Sequence, residues 1–191
     1  MQQQQSHGGP GDRMTLAGSF NGLYLLAHSH ALTCTVFLRR DFGAEGIGLF
    51  GLIAGLLILG YGSFANCYPM FIYFLLWMLA VICQRIRQFR NWRRGVITHS
   101  RYNGYPFISK RLFPRMSELN AKGVDAFLCL AIGGVLAQFW QPLGFFVMTG
   151  FLSILFSEAV MVEATKRRMQ AMRDAELEQR YLAEHYRSGR F

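Results

Sequence analysis

The chain has 191 residues, 52% of them hydrophobic and 15% aromatic, with a formal charge of +9. The charge is concentrated: between Gln84 and Lys122 stand Arg85, Arg87, Arg90, Arg93, Arg94, Arg101, Lys110, Arg111, Arg115 and Lys122 against Glu118 alone. In a soluble chain that balance would point to nucleic acid. Here the arginines flank long apolar runs, so the pattern is read as the positive-inside bias of a membrane protein, and no nucleic-acid partner is expected.

In chain order, residues 1–13 are rich in Gln, Gly and Ser and are expected to be a disordered polar tail with no cleavable signal peptide. Residues 14–46 form an interfacial or marginally inserted segment. Met14 to Leu38 carries no formal charge, yet Asn21, His28, Ser29 and His30 make it too polar for a clear span. Leu16, Phe20, Leu23, Tyr24, Ala27 and Ala31 fall on one helical face, which suits a helix lying in the interface, with an extended Thr33–Leu38 as the alternative.

Residues 47–84 read as a first transmembrane hairpin. Ile47 to Phe64 is an uncharged run about 27 Å long as a helix, close to the thickness of a hydrocarbon core. A polar turn follows, and Pro69 opens the return arm, where a missing backbone donor costs little. Residues 124–162 repeat the plan, with a turn at Trp140–Gln141 and Pro142 opening the second arm. Residues 85–123 are then a basic cytoplasmic loop, and 163–191 a charged cytoplasmic helical tail with Glu163/Arg167 and Glu176/Arg180 at four-residue spacing. A heptad seam through Met161, Thr165, Arg168, Met172, Ala175, Gln179, Leu182 and Tyr186 includes Arg168 and Gln179, poor core residues, so a solvated or partner-bound helix is expected there. The fold class is an all-α integral membrane protein of two transmembrane helical hairpins, four spans or five if 14–38 also crosses, in a bacterial inner membrane.

Candidate functional residues are few. Gly48, Gly51, Gly55 and Gly62 share a face of the first span, and Ala126, Cys129, Gly133 and Ala137 a small face of the third; such faces admit close helix packing, within the chain or with a partner. Glu158 is the one ionisable group well inside an apolar run, about 21 Å along the helix from Gly144, and is a candidate ion or proton site unless it pairs with Arg85 or Lys122. Asp125, near a helix start, needs no further role on this reading. Arg85, Arg87, Arg90, Arg93 and Arg94, interleaved with Ile86, Phe89 and Trp92, suit an anionic lipid surface. His99 to Pro106 holds turn signals at Asn103-Gly104 and Tyr105-Pro106.

His28 and His30 stand without nearby metal-ligand spacing, and the four cysteines form no CxxC; they are expected to be buried free thiols. No cofactor, metal or enzymatic motif is indicated. The expected function is a non-enzymatic membrane subunit, a scaffold or assembly component of a larger secretion or transport complex. The alternatives are a homo-oligomeric channel or small transporter using Glu158, and an interfacial enzyme built around His99, Arg101 and Tyr102.

Overall fold

Six helices follow one another along the chain: α1 (Pro10–Leu38), α2 (Ala44–Phe64), α3 (Tyr68–Arg93), α4 (Phe107–Leu112), α5 (Glu118–Phe139) and α6 (Gln141–Arg187). The structure is a computed structural model that describes residues 10–96, 100 and 102–187. Among these the only β element is an isolated bridge between Arg40 and Tyr105. The chain divides into two units, Met1–Ser157 and Glu158–Phe191. Helices α2, α3, α5 and α6 are each long and apolar enough to cross a membrane.

The turns follow from local chemistry. Between α2 and α3, Asn66 adopts a left-handed φ of 45°, which Asn tolerates, and a proline sits in the first turn of α3. Ser117 caps α5 by accepting from the Asn120 amide, while Trp140, at φ −139°, separates α5 from α6. At the end of α3, Gly95 takes φ 73° and the amides of Arg94, Gly95 and Val96 satisfy carbonyls of the last turn.

Small residues let these helices approach closely. A Cβ on Gly62 would stand 2.8 Å from Met70, and one on Gly55 3.4 Å from Trp77. Across α5 and the first part of α6, a Cβ on Gly133 would meet Met148 at 2.6 Å, and one on Gly144 would collide with the backbone of Ala137. Ala54, Ile58, Met70, Trp77, Ala126, Cys129 and Ile154 form part of the buried core. On the outside, Leu49, Leu52 and Leu56 of α2, Leu75, Leu79 and Ile82 of α3, and Phe127 and Val135 of α5 are exposed. An apolar exterior on this scale is the surface of a chain that needs an apolar solvent or a partner.

The later part of the segment expected at an interface packs into the core of the first unit. Helix α1 is continuous to Leu38, so Thr33–Leu38 is not extended; the Thr33 hydroxyl returns to the His30 carbonyl at 2.7 Å, a bond that lets a β-branched residue sit in a helix. Burial is concentrated in the C-terminal part of α1. His28, Ser29 and every residue from Ala31 to Val36 are buried, whereas Phe20 and Leu23 of the proposed apolar face are exposed. Residues 10–13 of the expected tail belong to α1, and 1–9 lie outside the described residues.

The expected basic loop is largely ordered structure. Helix α3 continues through Arg93, and α5 starts at Glu118. Between them, Arg40 and Tyr105 exchange two backbone hydrogen bonds, Gly43 donates to the Tyr102 carbonyl at 2.9 Å, and Glu45 donates to that of Ser100 at 2.9 Å. Gly104 takes φ 81°, and a Cβ there would stand 3.0 Å from Arg39, so the position suits glycine on both counts. The turn expected at Asn103-Gly104 therefore stitches this segment onto the α1–α2 link.

In the second unit, the part of α6 beyond Ser157 carries the expected Glu163–Arg167 and Glu176–Arg180 pairs at 3.0 and 2.6 Å. Met169, Met172, Leu177, Tyr181, Leu182 and Tyr186 are all exposed on it.

Candidate functional site

Where α1 ends, its last carbonyls need acceptable partners, because a helix terminus leaves them without intrahelical donors. Gln84 of α3 supplies them: its side-chain amide donates to the carbonyls of Val36 at 3.2 Å and Arg39 at 2.7 Å. Arg39 then turns inward. It is 2% exposed and its Nε donates to Asp125 Oδ2 at 2.8 Å, with Asp125 of α5 fully buried. Nη1 of Arg39 donates to the Asn103 carbonyl at 3.3 Å, and the Ser109 hydroxyl of α4 donates to Asp125 Oδ1. A buried charge pair persists when further hydrogen bonds compensate it, and here the Asn103 carbonyl supplies one to Arg39 and the Ser109 hydroxyl one to Asp125.

Asp125 is thus the anchor of the cluster, a correction to its reading as a simple helix-start carboxylate. Around it, Arg40 places its guanidinium carbon 3.3 Å from the centroid of the Phe107 ring, and Asn91 donates to Asp41 at 2.8 Å. Tyr102 donates to Glu118 at 2.7 Å; burial, reinforced by that carboxylate, holds its phenol well above the usual range. Lys122 pairs with the same Glu118 at 3.0 Å.

Further back along α1 runs a seam of polar contacts. His28 Nδ1 and Ser157 Oγ are 2.7 Å apart, and His30 Nδ1 and Ser153 Oγ also 2.7 Å, each imidazole donating or accepting according to its tautomer. The Tyr73 hydroxyl of α3 donates to the Thr33 carbonyl at 2.9 Å and lies 3.9 Å from Cys34 Sγ. Cys34, Cys67 and Cys129 are buried free thiols as expected, whereas Cys83 is exposed. The two histidines each hold a separate serine, and among the described residues no three His, Cys, Asp or Glu side chains gather as a metal site.

The predicted packing faces point inward for the most part. Gly51, Gly55 and Gly62 are buried, as are Ala126, Cys129 and Gly133, while Ala137 is half-buried against Gly144. Gly48 differs: it is exposed, sits at a kink in α2, and opens with Gly51 and Gly55 on a groove of about 350 Å³ beside Trp77. Arg85, Arg90, Arg93 and Arg94 are exposed and Arg87 half-buried along the end of α3, together with exposed Ile86, Phe89 and Trp92. Glu158, the first residue of the second unit, is half-buried. Of the interfacial-enzyme residues, His99 and Arg101 lie outside the described residues; Tyr102 is committed to Glu118.

Sequence reasoning missed the Arg39–Asp125–Ser109 cluster and both His–Ser pairs. One signal was present: Ser153 and Ser157 stand a turn apart in an apolar helix, and His28, Ser29, His30 and Thr33 crowd one stretch of α1. Comparison of the chain with protein-family models, curated proteins and solved structures finds no match in any of the three.

Proposed function

We propose that the chain is a non-enzymatic multi-pass subunit of a larger membrane complex, a scaffold or assembly component of secretion or transport machinery. On this reading α2/α3 and α5/α6 are two transmembrane hairpins of a bacterial inner membrane protein. The arginine-rich end of α3 and the C-terminal helix face the cytoplasm, where cationic segments are retained. The observation that carries the subunit reading is the second unit. Its helix exposes Met169, Met172, Leu177, Tyr181, Leu182 and Tyr186 among charged residues, apolar surface that a partner would cover.

Extraction in mild detergent followed by native mass measurement tests it. A defined assembly is expected, lost on Met172→Glu/Leu182→Glu while the first unit stays folded. A lone monomer in both proteins sinks the reading.

The polar seam along α1 favours a second reading, a homo-oligomeric channel or small transporter using Glu158, since polar groups held within an apolar bundle commonly mark an ion path. Proteoliposome ion flux that is absent, or unchanged by Glu158→Gln, removes it.

A further inference from the structure

A pocket of about 250 Å³ opens where the C-terminal end of α1 meets α3 and α4. Its lining combines apolar Phe37, Ala80 and Ile108 with Arg40, Arg87 and Gln84. The charges of this lining do not cancel. The third arginine at the pocket, Arg39, is answered by Asp125, but neither Arg40 nor Arg87 has an ion-pair partner among the described residues. The neighbouring carboxylate, Asp41, accepts from Asn91.

Arg40 is also pre-positioned. Its backbone is tied to Tyr105 by two hydrogen bonds and its guanidinium sits over the Phe107 ring, so little side-chain entropy remains to be lost when an anion binds. Gln84 adds a second demand. Both of its amide contacts are spent on the carbonyls of Val36 and Arg39, while Oε1 is buried without a hydrogen-bond partner in a residue only 6% exposed. A buried acceptor of this kind calls for a donor, since leaving it unmet is costly.

We infer that this pocket holds the headgroup of an anionic glycerophospholipid. The phosphate lies between Arg40 and Arg87, and a headgroup hydroxyl donates to Gln84 Oε1. Guanidinium groups suit a phosphate diester because they offer several donors in one plane. The apolar lining distinguishes the ligand from free phosphate: acyl chains leave past Phe37 and Ala80 onto the exposed Leu76 and Leu79 of α3. This site is separate from the exposed arginines further along α3, which offer charge to a membrane surface without a cavity.

The inference rests on the membrane reading above, and the two fail differently. Protein recovered in the soluble fraction without detergent would sink the membrane reading; extracted protein without lipid preference would sink only this one.

The test is native mass spectrometry of the full chain extracted in mild detergent and titrated with phosphatidylglycerol or phosphatidylcholine, beside thermal-shift titration with inorganic phosphate. One phosphatidylglycerol should be retained, with retention falling about tenfold in Arg40→Gln/Arg87→Gln. Ala80→Trp, which adds bulk to the apolar lining and leaves the charges in place, should lose it too. Arg93→Gln/Arg94→Gln, outside the pocket, should retain it. Equal retention of phosphatidylcholine, indifference to both pocket variants, or stabilisation by inorganic phosphate equal to that by lipid would each overturn the assignment.

Discussion

Asp125 sits at the centre of a cluster in which its two oxygens take different partners, Arg39 on one and Ser109 on the other. With both charges buried, removing one leaves the other without compensation in a medium that solvates it poorly. Asp125→Asn should therefore cost about 3–5 kcal/mol, while Arg39→Met/Asp125→Leu, which removes both charges, should recover most of it. Thermal unfolding of the three purified proteins in detergent measures this; a single variant as stable as the parent would show that the pair contributes little. The cluster was hidden at the level of residues. Nothing local distinguishes an aspartate that caps its own helix from one that receives an arginine 86 positions earlier.

At the scale of elements, the glycines separate into two kinds. Gly144 lies against the backbone of Ala137, where an added methyl has no flexible neighbour to displace, whereas nothing stands within 4 Å of a Cβ on Gly60. Gly144→Ala should destabilise by about 1–3 kcal/mol through overpacking, and Gly60→Ala should be neutral or stabilising by up to about 1 kcal/mol through helix propensity. Paired melting curves decide it, and equal shifts for the two would contradict the packing described. The small-residue faces were legible in the sequence because a helix repeats every 3.6 residues. Which neighbour fills each face was not, and the open groove at Gly48 and Gly51 shows one glycine face serving two surroundings.

At the scale of the whole molecule, the membrane reading predicts a sidedness. Cysteines introduced by Asn66→Cys, at the α2–α3 turn, and by Gly95→Cys, after α3, should differ in labelling by an impermeant maleimide applied to intact cells, with only the former reacting. Equal labelling of both sites would sink the proposed orientation. Positive charge sets that orientation because arginines near span ends resist translocation.

Sequence by itself determined the four long apolar helices and the turns between them, since uninterrupted hydrophobicity, Asn66, Pro69 and Pro142 act on the backbone within a few residues. It did not determine the place of α1. That helix carries too many polar groups to be read as part of a core, and several of them, with Arg39 just beyond its end, become acceptable inside because Ser157, Ser153, Tyr73, Gln84 or Asp125, distant along the chain, arrives to bond the side chain or the adjoining carbonyl. Only the tertiary structure decides such pairings, because burying a polar group is unfavourable until its partner is in place.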